Sequence, residues 1–232
     1  MTKKEVVQKI FDCIINRIET FDFKTDLKNQ RFVRKNTESI FVYDIHFYNR
    51  TNIKTGDRGF LIEPFIWINV KQIENYFKEV SLNKELKTDT DFKTLGNSIA
   101  EIISNPDGIH KKWNESLNLF VFNEKDIPIV AKELLKQFEK IALPYFLNNA
   151  NVETVDKLAN SHPEKYTVHM ANDNQRIIKG IIAAKLNRNP SLIEVIKIYE
   201  RQIIEKDMIE RVKLEMDRLK NILPMIGVNM TG

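Results

Sequence analysis

The feature that most constrains this chain is a pair of alternating segments, IFVYDIHFY at residues 40–48 and FLIEPFIWINV at residues 60–70. Side chains of an extended strand point by turns to opposite faces, so each segment sorts its residues into two sets. In the first, Phe41, Tyr43, Ile45 and Phe47 oppose Ile40, Val42, Asp44, His46 and Tyr48. In the second, Phe60, Ile62, Pro64, Ile66 and Ile68 oppose Leu61, Glu63, Phe65, Trp67 and Asn69. One set in each segment is free of charge, and the other mixes carboxylates with aromatic rings. Two such strands joined by the polar loop NRTNIKTGDRG pair antiparallel and need a covering layer on the uncharged face.

The preceding residues supply that layer. Val7, Phe11, Ile14, Ile18 and Phe21 recur at helical spacing, and Thr2 with Glu5 has the spacing of a capping box. Cys13 flanks this stripe and reads as a small core residue. RFVR at residues 31–34 is a short strand before the turn KNTES, and LNLFVFN at residues 117–123 is a fourth strand. Pro64 puts its strand at a sheet edge or a bulge, because proline cannot donate to a ladder. Residues 71–80 and 92–104 read as helices, the second stopped by Asn-Pro-Asp-Gly at 105–108.

From there the pattern is helical almost to the end. One helix runs from Asp126 to just before Pro144, and others cover 152–160 and 173–187. A long helix starts near Pro190 and reaches toward Ile222, its apolar stripe slipping phase near Lys206. Asp207, Arg211, Lys213, Glu215 and Asp217 form a ladder of opposite charges on it and read as a solvated face. The expected class is α+β: an antiparallel sheet of about four strands packed by an N-terminal helix and followed by a helical region. An α+β domain over residues 1–148 and a helical extension over 149–232 packed on it are the expected units.

Several function classes are disfavoured. Lys and Arg outnumber Asp and Glu by only 36 to 32, evenly interspersed, so nucleic acid is not the expected partner. The basic aromatic stretch Arg31, Phe32, Arg34 and Lys35 lacks the glycines of an RNA-binding strand and suits a charged edge instead. A lone Cys13 permits no intramolecular disulfide and no cysteine zinc site. His162 and His169 match no ligand spacing and read as surface histidines in a connector, so no metal and no cofactor are expected. Phosphate loops, nucleophile elbows and metalloprotease helices are missing from the sequence. No run approaches the roughly 20 apolar residues of a membrane span. Charged residues also break up the N-terminal apolar stretch, so a cytoplasmic location is expected.

The candidate site lies on the charged face of the two long strands. Asp44 and His46, two residues apart, point the same way, and Glu63 can approach across the pairing with Phe65 and Trp67 beside it. A carboxylate beside an imidazole is the start of a general-base pair. The same residues also suit a recognition surface, or a sheet face only partly covered. Such a face is too polar for a sealed core and too aromatic for plain surface. It is expected to lie opposite the first helix, the competing expectation being that the C-terminal helices cover it.

FVRKNTESIFVYDIHFY, FLIEPFIWIN and LLKQFEKIALPYFLNNANVETVDKL together resemble a bacterial family of unassigned activity, domain-of-unknown-function family 4304. The matching residues are Phe32, Arg34 and Lys35, and later Ala142, Leu143, Pro144, Tyr145 and Phe146, within residues 1–160. The chain departs from that pattern in the insertion between the third and fourth strands and in its long terminal helix. The resemblance implies a small α+β module similar to immunity-type or other protein-binding domains, and it carries over no catalytic residue. The expected function is therefore a non-enzymatic bacterial protein-binding module, immunity-type or regulatory, using Asp44, His46, Glu63, Phe65 and Trp67. The alternative is a small hydrolase or nucleotide-processing enzyme built on Asp44, His46 and Glu63.

Overall fold

A computed structural model describes residues 1–105, 108, 117–170 and 172–227. The two alternating segments form the strands β3 (Ser39–Thr51) and β4 (Arg58–Val70), paired antiparallel from Ser39↔Val70 to Thr51↔Arg58. On one side β3 takes β2 (Arg31–Lys35), which in turn takes the short β1 (Lys24–Asp26). On the other side β4 takes two short strands end to end, β5 (Leu95–Ser98) and β6 (Leu119–Val121). The class is α+β, and among the described residues the antiparallel sheet has six strands: the expected four plus β1 and β5.

Pro64 does not mark an edge, since β4 is paired on both sides. The Ile45 N–H donates away from β4, to the Gln30 carbonyl, at 2.9 Å. Pro64, directly opposite Ile45, therefore turns its nitrogen to the far side of β4. There it meets the gap between the β6 pairing, which ends at Ile62, and the β5 pairing, which begins at Phe65. A missing donor costs nothing in a gap.

The expected helix over 92–104 is a strand followed by a shorter helix, α3 (Ile99–Ser104). The Thr94 N–H donates to the Ile68 carbonyl at 2.7 Å, so the chain is already in the ladder there. At Gly96, with φ +134°, a Cβ would lie 1.9 Å from the Ile66 carbonyl oxygen, so only glycine fits. Ser98 then caps α3 by accepting from the Glu101 N–H at 3.2 Å. Pro106 and Asp107 of the expected stop signal lie outside the described residues.

The uncharged sheet face is covered by α1 (Lys3–Glu19), by α4 (Asp126–Gln137) and by α5 (Leu143–Asn149). Thr2 and Glu5 make the expected capping box, and Val7, Phe11, Ile14 and Ile18 are buried. Phe11 stacks on Phe32 with centroids 5.0 Å apart, Phe41 meets Phe146 at 5.2 Å, and the Tyr43 hydroxyl donates to the Leu134 carbonyl. Cys13, however, is exposed. It shares an i,i+4 row with Lys9 and Arg17, whose salt bridges to Glu124 and Glu139 run along the solvent side.

The helix expected to end before Pro144 continues through it. A wide turn over Phe138–Ala142 uses i→i+5 bonding, with the Leu143 N–H reaching the Phe138 carbonyl. Pro144 then falls in the first turn of α5, where it breaks no regular bond.

The remaining helices are α2 (Lys71–Val80), α6 (Val152–Asn160), α7 (Asp173–Leu186), α8 (Leu192–Glu205) and α9 (Glu210–Ile222). The long helix expected from Pro190 is thus two, broken where the phase slips, with Asp207 in a left-handed conformation at φ +43°. Glu215 is not on a solvated face: it is 3% exposed and accepts from the Leu82 N–H at 2.7 Å. α2 packs against α7 and α9, and one cluster of buried apolar side chains runs from α1 through the sheet to α9.

Candidate functional site

One end of the charged face of β3 and β4 is covered. The turn at Asp89–Asp91 lies over β3, the Asn69 amide donates to the Asp89 carbonyl at 2.9 Å, and Ile40 and Val42 are buried. Past this lid the register sets Val42 opposite Trp67, Asp44 opposite Phe65 and His46 opposite Glu63. The structure therefore brings all five sequence candidates together on the face opposite α1.

The rings form a row. The His46 and Phe65 centroids are 4.6 Å apart, and Phe65 stacks on Trp67 at 5.7 Å with planes inclined by 10°. Lys93 ends the row, its ammonium 3.9 Å above the Trp67 ring and 3.9 Å from Asp44 Oδ2. His46, Glu63, Phe65 and Trp67 all keep part of their surface open to solvent, whereas Asp44 is nearly buried. The indole Nε1–H of Trp67 is buried and has no partner among the described residues.

His46 Nε2 is 4.0 Å from Asp44 Oδ2, beyond hydrogen-bond length, while its Nδ1 is 3.1 Å from the Tyr48 hydroxyl. Asp44 and His46 are therefore not an oriented acid–imidazole couple. Burial holds the Glu63 carboxyl above its ordinary value, against the opposing effects of a hydrogen bond from Ser98 and the nearby His46. The Lys93 ammonium is pushed below its ordinary value, again chiefly by burial, with Asp44 acting the other way.

Sequence reasoning missed Lys93, Ser98 and Tyr48. Tyr48 was discoverable, since it shares the parity of Asp44 and His46. Lys93 and Ser98 were not, because they come from the stretch read as a helix.

Beside Trp67 a cavity of about 210 Å³ extends between β5 and α7, with Lys93, His169 and Arg176 on its walls. Arg176 is already engaged: its guanidinium donates to the carbonyls of Ala159, His162 and Lys165. His162 is exposed as expected, but His169 is mostly buried, its Nδ1 3.0 Å from the Tyr145 hydroxyl, and burial lowers its pKa. The segment carrying it is tied to the sheet through the Gly96 N–H, which donates to the His169 carbonyl at 2.8 Å.

No protein-family model matches the chain, and no curated protein or solved structure matches it either.

Proposed function

We propose that this protein is a non-enzymatic protein-binding module, immunity-type or regulatory, whose recognition surface is the open half of the charged sheet face. The observation that supports the reading is the continuous row His46, Phe65 and Trp67, partly exposed and rimmed by charge. Aromatic anchors in a polar rim are enriched at protein interfaces, where they bury much area at little entropic cost. Glu63 stands on this row with its carboxyl partly open to solvent, so the partner group that fits is a cation. An arginine guanidinium stacks on the Phe65 and His46 rings and donates to the Glu63 carboxylate in one pose. A bacterial source, supported by the family resemblance, and a cytoplasmic location, supported by the charged residues that break up the N-terminal apolar stretch, belong to the same proposal. No described helix is long and apolar enough to cross a membrane.

The test uses Trp67 as reporter. Trp113, outside the described residues, is the other tryptophan, so a Trp113→Phe variant makes the emission report on Trp67 alone. Acrylamide is expected to quench it in part. A short arginine-rich peptide is expected to shield it, a citrulline counterpart to leave it unchanged, and Glu63→Gln to abolish the response. Complete protection in the free protein, or equal responses to both peptides, would refute the reading.

A second reading, a small hydrolase or nucleotide-processing enzyme, draws on one observation: a carboxyl of raised pKa directly opposite a histidine. It requires turnover of an activated ester or phosphate ester that is lost in both Glu63→Gln and His46→Ala.

A further inference from the structure

The sheet has an edge that no strand among the described residues covers. The pairing of β2 with β3 ends at Arg31↔Asp44, and the Gln30 carbonyl takes one more bond, from the Ile45 N–H. Gln30 is left-handed at φ +56°, and residues Leu27–Asn29 turn away as a single 3₁₀ turn. β3 nevertheless continues to Thr51. Backbone N–H groups alternate sides along a strand, so those of Phe47, Asn49 and Thr51 point the same way as that of Ile45, away from β4. The Asn52 N–H, of the other parity, bonds the Asp57 carbonyl across the hairpin at 2.8 Å, which fixes the phase. Among the described residues no hydrogen bond reaches Phe47, Asn49 or Thr51 on the open side.

Basic side chains gather beside Gln30, where the cover of β3 ends. A groove of about 480 Å³ runs between the first turns of α1 and the Leu27 turn, with Lys3, Lys4 and Lys28 around an apolar floor of Val7 and Leu27. On the opposite face, Arg50 projects from β3 itself. None of these four cations makes a salt bridge among the described residues. An unpaired strand edge is a template for another strand, and the pattern of charge along it selects which.

We propose that the Phe47–Thr51 edge of β3 accepts an extended acidic segment of a partner protein as an added strand. Main-chain bonds to Phe47, Asn49 and Thr51 supply the pairing. Because side chains of the added strand alternate, acids of one parity meet Lys3, Lys4 and Lys28, and those of the other meet Arg50. The edge amides and the lysines share no residue with the aromatic row, so a test made on them does not depend on that reading.

The probe is a fluorescein-labelled peptide of alternating glutamate and valine. Its control is the same peptide with proline at every valine, which keeps the charge, removes every second N–H and restricts each glutamate before a proline, so a regular ladder cannot form. Saturable binding by anisotropy is expected for the first peptide alone, weakening as salt is raised. Saturating peptide is expected to slow hydrogen exchange at the amides of Phe47, Asn49 and Thr51 in the unaltered protein. Paired charge reversal, Lys3→Glu with Lys4→Glu, should weaken binding by roughly tenfold. Asn49→Pro should abolish it, because Asn49 faces Phe60 in a non-hydrogen-bonded pair and its own N–H serves only the open edge. The exchange measurement on the unaltered chain decides the matter should that variant misfold. Equal binding of the proline peptide, or unchanged exchange at the three amides, would overturn the proposal. So would sedimentation showing that the edge is occupied by a second copy of the chain.

Discussion

The Lys179 ammonium lies 2.8 Å from Glu74 Oε1, with both side chains sealed from water. The pair sits in a network joining three segments. Lys179 also donates to the Lys93 carbonyl and to Gln175 Oε1, each at 2.9 Å, and the Thr94 hydroxyl donates to Glu74 Oε1 at 2.6 Å. Burial pushes the Lys179 pKa down, with Glu74 opposing it. The network ties α7 to α2 and to the backbone that delivers Lys93 to the aromatic row.

Removing one member of such a pair strands the other charge, which costs about 3–5 kcal/mol, while an apolar pair of similar volume is often neutral. Lys179→Met is therefore expected to lower the urea midpoint sharply, and Lys179→Met with Glu74→Leu to recover most of the loss. A single variant as stable as the wild type would show that the ion pair is not an obligatory bridge.

Ile14 is fully buried in the cluster that holds Phe11 and Ile18. Ile14→Ala is expected to destabilise the protein by roughly 2–5 kcal/mol through the cavity it leaves. An unchanged denaturation midpoint would remove α1 from the cooperative core.

The long strands were legible because a period of two over many residues has no helical counterpart, and the parity of Asp44, His46, Glu63, Phe65 and Trp67 followed from it. β5 was not. Its residues Leu95–Ser98 carry no alternation, and their strand geometry is dictated by Gly96 lying against the Ile66 carbonyl. Pro64 misled because the rule against proline in ladders is a rule about local partners, and two short strands can leave a gap beside a central one. Glu74, Lys179 and Glu215 were invisible for a different reason. A charged residue on an amphipathic helix looks solvated until a second element arrives to bury it, and such long-range arrivals leave no trace in local spacing. The Cys13 reading failed on the margin of a stripe, where one position along the helix turns the side chain by about 100°.

Glu215 gives a direct comparison within one helix. Its carboxylate holds the end of α2 through the Leu82 N–H and the Ser81 hydroxyl, at 2.7 and 3.2 Å. Asp217, two residues on, is exposed. Hydrogen bonds to a charged group contribute about 1.5–3 kcal/mol, whereas exposed substitutions stay within about 0.5 kcal/mol. Glu215→Ala is accordingly expected to be destabilising and Asp217→Ala silent in the same thermal melt. Equal effects would mean that α9 is not anchored through this carboxylate.

His169 makes stability depend on pH with a predictable sign. Burial lowers its pKa in the folded protein from the ordinary 6.5, and Tyr145, whose own pKa burial raises, stays neutral beside it. Above pH 6.5 the ring is neutral in both folded and unfolded chains and its contribution is complete. Below that, the unfolded chain takes up the proton first, so stability is lost as pH falls from 6.5 through the folded value. Glu63 acts with the opposite sign: its raised pKa favours the folded state below 4.5, and that contribution fades as pH rises through the folded value. The two are separated by substitution. Urea midpoints of the wild type should fall on acidification just below pH 6.5, and those of His169→Gln should not. Parallel curves for the two proteins would show that His169 takes up its proton equally well in the folded and unfolded chains.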